Sequence, residues 1–174
     1  MTERLADEAK QRLQAVRTAY DHEHEQPLAG YAVTVAGYGA FLAALAAGVK
    51  FSGTRLPRRL RPVDIVLGGL AVHKAVRLLA KDAVTSPIRA PFTRFNGPGG
   101  SGEVTEEVRG RGLFHVAGEV ISCPFCLAPW ASSLYVAGLL MAPRHARVVA
   151  GMFGVVGVSD MLQQLYGLLK SSGG

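Results

Sequence analysis

Between Leu28 and Val49 the chain runs for 22 residues without a charged side chain, and no other feature limits the fold as much. A helix rises about 1.5 Å per residue, so this stretch reaches across a hydrocarbon layer of about 30 Å. Ala36, Ala40, Ala44 and Gly48 recur every fourth residue, which predicts a smooth ridge on which a second helix backbone can lie close. The rest of the 174 residues repeats the theme of apolar stretches divided by basic clusters. A hydrophobic fraction of 49% against 18% charge excludes a disordered chain, which needs the opposite balance. The expected fold is therefore all-α: a polytopic membrane bundle of four transmembrane helices preceded by an amphipathic N-terminal helix.

Residues 1–26 read as that helix and its linker, and residues 27–172 as the transmembrane domain. Leu5, Ala9, Leu13, Val16 and Tyr20 recur at helical spacing, while Glu3, Asp7, Lys10, Arg12 and Arg17 occupy other faces. This region lacks the apolar core and cleavage site of a secretion signal. Asp21-His22-Glu23-His24-Glu25 alternates metal donors, but with nothing to fix their geometry the run reads as a solvated linker. After the first span, Lys50, Arg55, Arg58, Arg59 and Arg61 form a basic loop in which Pro57 and Pro62 oppose helix continuation.

The second span begins near Val63 and carries His73, Lys74, Arg77, Lys81 and Asp82. At about 100° per residue its cations share one face. Such a face must line the bundle interior or a wet cavity, or reach headgroups at the helix end. Residues 85–115 look like a flexible loop around the Gly-rich run Asn96 to Gly102. The third span, Leu127 to Ala142, follows Cys123-Pro124-Phe125-Cys126. The last, Val148 to Leu169, holds Asp160 near its middle and offers Ala150 and Gly154 as a small contact pair.

The stretch His73 to Asp82, then Ile88-Arg89-Ala90-Pro91-Phe92, then Gly118 to Cys126 with Trp130, resembles the bacterial membrane proteins of the domain of unknown function 1360 family. The resemblance covers roughly Val63 to Leu169. The family's recurring marks fall on Lys74, Arg77, Asp82, Arg89, Pro91, Phe92, Gly118, Glu119, Cys123, Cys126 and Trp130. It implies a multi-pass protein of the bacterial plasma membrane, and it implies no activity.

Two thiols three residues apart at a helix start can form a disulfide, and helix N-terminal amides stabilise a thiolate. That makes Cys123 and Cys126 a candidate redox pair, and a membrane thiol-disulfide oxidoreductase the enzyme class to consider. No βαβ pattern and no second Cys pair accompany them. They also supply half of a tetrahedral zinc site that His115, His73 or Glu119 would have to complete. The plainer alternative is two small soft side chains packed between helices, with no metal and no cofactor. Glu119 and Asp160, acids at membrane depth, need partners, and the cations at positions 73, 74 and 77 are the obvious ones. The same residues would serve a proton relay, a small transporter or a headgroup pocket.

The formal charge of +6 comes without a nucleic-acid recognition motif, so the basic loops are assigned to topology and membrane lipids. The counts favour both termini in the cytoplasm, with the Cys pair on the reducing side as free thiols. The expected role is a noncatalytic membrane scaffold or interaction module, working with a second copy or another membrane protein. The alternative is a redox, transport or ligand-binding component.

Overall fold

The computed structural model of the protein describes residues 2–20 and 27–172. Helix α1 (Thr2–Tyr20) carries the N-terminal periodicity, with Leu5 and Val16 exposed. The donor run from Asp21 to Glu25 lies outside the described residues. Helix α2 (Leu28–Phe51) contains the uncharged stretch. It starts at the Pro27 carbonyl, which accepts from the amides of Gly30 and Tyr31. It is followed by Gly53 at a φ of 67°, a conformation glycine adopts without steric cost. Helix α3 (Pro62–Ala80) opens on a proline, where the missing amide would have had no helical partner anyway.

Beyond α3 the chain is not all-α. A 3-10 turn (Ala83–Thr85) and a short helix α4 (Ser86–Arg89) lead into a two-stranded antiparallel hairpin, β1 (Thr93–Pro98) and β2 (Val104–Val108). Thr93 pairs with Val108 and Pro98 with Val104, and the register shifts between Phe95 and Gly97. The hairpin is docked on the exit of α3. The Ala83 amide donates to the Gly102 carbonyl at 2.9 Å, and the Val104 amide to the Lys81 carbonyl at 2.9 Å. The Gly-rich run supplies the register shift and the turn, with Gly102 at a φ of 77°. Chain composition that reads as loop therefore folds as sheet, because tertiary bonds replace the missing apolar alternation.

Helices α5 (Leu113–Ser122), α6 (Pro124–Met141) and α7 (Pro143–Ser172) complete the fold. Central α3 packs on α6 and α7. At Gly68 an added Cβ would lie 2.1 Å from Tyr135 Cε1, so the Tyr135 ring of α6 lies directly on the α3 backbone there. Ala150 is buried, and Gly154 and Gly157 approach Leu67 and Lys74, which seats α7 along α3. Helix α2 covers α6 from outside. Its contact face is aromatic, with Tyr38 and Phe41 each 5.1 Å from the Trp130 ring. The expected ridge of Ala36, Ala40 and Ala44 is exposed, because that aromatic contact selects a different face of α2.

Three of the described helices, α2, α6 and α7, are long and apolar enough to cross a membrane by length and composition. Helix α3, expected as a fourth span, is not among them, since it carries three charged residues, Asp64, Lys74 and Arg77. Large apolar side chains such as Val35, Phe51, Met152 and Val155 lie exposed, the reverse of a water-soluble core.

Candidate functional site

One end of the bundle gathers the C-terminal half of α3, the turn after it, the hairpin and the middle of α7. Arg89, on α4, is its hub. The side chain has 0% exposure, and every guanidinium nitrogen has a partner. Nε donates to Glu106 Oε2 at 2.7 Å and Nη2 to Glu106 Oε1 at 3.1 Å. Nη1 donates to the Leu79 carbonyl and the Thr85 hydroxyl, both at 2.7 Å, and Nη2 also reaches the Asp82 carbonyl at 3.1 Å. Leu79 is among the last four residues of α3, whose carbonyls lack helical partners. Arg89 satisfies one of these, and the Thr85 hydroxyl, which donates to the Leu78 carbonyl, satisfies another.

Glu106 has 7% exposure and also accepts from the Thr93 hydroxyl at 3.1 Å. Burial pushes its carboxyl upward, but the hydrogen bond and charge of Arg89, with Thr93 and Ser86, more than offset this. The group is held below its ordinary value.

Beside the hub lies a second charged cluster. Lys74 Nζ reaches Asp160 at 2.8 Å and Asp82 at 3.2 Å. Arg77 pairs with Glu103 of the hairpin turn. These groups and exposed His73 line a cavity of about 890 Å³ between α3, the hairpin turn and α7. At the other end of α3, Asp64 is buried and takes Arg147 in a two-point pair, at 2.8 and 2.9 Å. Tyr135 adds a hydrogen bond to the Asp64 carbonyl at 2.9 Å.

Glu119 is partnered by the Tyr31 hydroxyl at 2.8 Å and by His115 at 3.6 Å, not by the cations of α3. The expected single charge network is therefore two clusters. Cys123 caps α6, its sulfur accepting from the Cys126 amide at 3.3 Å, and both thiols are free. Among the described residues no three His, Cys, Asp or Glu are placed to hold a metal, so His115 is not joined to the thiols as a ligand set. The Lys81 side chain is partly exposed and its carbonyl anchors the hairpin.

The remaining residues of the resemblance have packing roles. Gly118 leaves room for the hairpin, since an added Cβ would meet Val108 Cγ1 at 2.5 Å and the Phe92 carbonyl at 3.0 Å. Phe92 stacks on Phe114 at 4.9 Å, and the Pro91 carbonyl accepts from Arg109 Nε at 2.9 Å. Sequence reasoning missed Glu103, Glu106, Asp64 and Arg147. For Asp64 a signal existed: it is the only acid between Glu25 and Asp82.

A sporulation protein of Bacillus subtilis (strain 168), YjcA, is similar over 106 residues at 26% identity, covering 59% of this chain and 90% of that protein. No solved structure matches. The family model of DUF1360, described as a protein of unknown function, matches residues 66–166, a region that runs from α3 through the hairpin to α7, and the chain belongs to that family.

Proposed function

We propose that the protein is a multi-pass membrane protein that acts as a noncatalytic scaffold, displaying the hairpin and its charged surroundings on one membrane face as an interaction module. The observation that carries this reading is the Arg89 hub. A fully buried guanidinium whose nitrogens are all engaged has no capacity left for a substrate. Its bonds join the end of α3 to the hairpin and so hold a surface in place.

In this reading α3 is a fourth crossing, packed on α6 and α7 along one side with Val63, Ile65 and Val66 exposed on the other, and neutralised at both ends, by Asp64 with Arg147 and by Lys74 with Asp82 and Asp160. Exposed Phe95 on β1 is the natural probe of the displayed surface. A photo-crosslinking residue at Phe95 in native membranes should give one discrete protein adduct, a partner or second copy, that disappears with Arg89→Ala. Adducts to lipid alone would overturn the proposal.

The free thiols at the start of α6 favour a second reading, thiol-disulfide exchange. It predicts that Cys123 and Cys126 cycle between thiol and disulfide in cells, which trapping with a thiol-specific alkylating reagent would reveal.

A further inference from the structure

We propose that the cavity between α3, the hairpin turn and the C-terminal half of α7 binds a zwitterion carrying a phosphate and a primary ammonium, as the headgroup of phosphatidylethanolamine does. The membrane placement of that headgroup rests on the reading above; the recognition chemistry does not. The cavity, about 890 Å³, lies within the range of about 300–1,000 Å³ usual for small-molecule sites.

Its walls carry both signs of charge side by side. Lys74 and Arg77 supply cations, and Asp82, Glu103 and Asp160 supply carboxylates. A simple anion would face three carboxylates and a simple cation two fixed positive groups, so a ligand holding both charges fits best. The internal ion pairs leave capacity on each side. Arg77 engages Glu103 Oε1 through Nε and Nη2, which leaves Nη1 to donate and Glu103 Oε2 to accept. Asp160, at 39% exposure, meets Lys74 through Oδ2, leaving Oδ1.

A phosphate would take Arg77 Nη1 with His73, and an ammonium would donate to the spare oxygens of Glu103 and Asp160. A primary ammonium has three N–H donors for those oxygens; a quaternary choline has none. On the α7 side, Met161 and Leu168 combine cavity lining with exposed apolar surface, giving acyl chains a path along the outside of the helix. The ligand is therefore set with its charges inward and its tails toward the lipid.

Gly167 lines the cavity, and an added Cβ there would meet nothing within 4 Å. Gly167→Trp thus sets an indole at the cavity wall from a Cβ that meets none of the ion pairs. The detergent-purified full chain would be incubated with equimolar phosphatidylethanolamine, phosphatidylglycerol and phosphatidylcholine of matched acyl chains, and retained lipid counted by native mass spectrometry. The ethanolamine lipid should be enriched about tenfold over either competitor. Gly167→Trp should abolish that preference and Glu103→Gln should weaken it. Equal retention of the three lipids by the unmodified protein, or full preference in a folded Gly167→Trp protein, would overturn the proposal.

Calorimetric titration with soluble phosphoethanolamine separates the two sources of this chemistry. Saturable heat without lipid retention assigns the cavity to a free zwitterion; lipid retention without heat assigns it to the membrane lipid; neither rejects the site. Because the titration needs no bilayer, failure of membrane insertion would leave its result standing.

Discussion

Arg89 and Glu106 form a two-point ion pair, Nε to Oε2 at 2.7 Å and Nη2 to Oε1 at 3.1 Å, that joins α4 to the second strand of the hairpin. Both side chains are buried, so removing one strands the other. Arg89→Ala should cost about 3 to 5 kcal/mol. Thermal unfolding in detergent checks the magnitude, and limited proteolysis should show new cleavage within residues 93–108. Arg89→Lys should not rescue, since an ammonium cannot reproduce the two-point geometry or reach the Leu79 carbonyl and Thr85 hydroxyl together.

The same pair sets an acid limit. Because the folded Glu106 carboxyl lies below its ordinary 4.5, its contribution is fully present above that value and is lost as pH falls through the folded value. Protection factors of the hairpin amides, taken against the intrinsic exchange rate at each pH from 7 down to 3, should stay high to about pH 4.5 and then fall. Glu106→Gln should remove that pH dependence of protection and lower the protection factors throughout.

Lys74 has two carboxylate partners, and that changes what each is worth. Asp160 is partly exposed and Asp82 remains 3.2 Å from the ammonium, so Asp160→Ala alone should cost roughly 1 kcal/mol or less. Asp160→Ala with Asp82→Ala leaves Lys74, at 12% exposure, without a carboxylate and should cost about 3 to 5 kcal/mol. Unfolding of the single and double variants measures the coupling. Additive small losses would show Lys74 already in water.

Gly118 is the point at which the hairpin seats closely on α5. Gly118→Val would drive side-chain carbons into Val108 and the Phe92 carbonyl, costing about 1 to 3 kcal/mol by overpacking. The expected signature is a loosened hairpin by hydrogen exchange, with α6 and α7 unaffected.

What the sequence made legible follows from how local each signal was. The α2 span is a run of uncharged residues and needs no tertiary knowledge. The cationic face of α3 follows from helical spacing, and Asp160 stood out as an acid inside an apolar helix. Arg89 was marked only by family resemblance; nothing in the residues around it announces a carboxylate 17 positions away on a strand. The hairpin itself was hidden, because Thr93 to Pro98 lacks apolar alternation and takes its shape from Arg89 and the Lys81 and Ala83 backbone. Asp64 and Arg147 are 83 residues apart, and only the parallel packing of α3 and α7 makes them neighbours.

A membrane-crossing α3, as proposed, puts the hairpin and the basic loop before α3 on opposite faces. In a background with Cys123→Ser and Cys126→Ser, Thr105→Cys on the hairpin and Arg58→Cys in that loop would each be probed with a membrane-impermeant thiol reagent on sealed vesicles of known orientation. Both positions are exposed. Labelling of one position from outside, and of the other only after the vesicles are opened, is the predicted result. Labelling of both from the same side would contradict it.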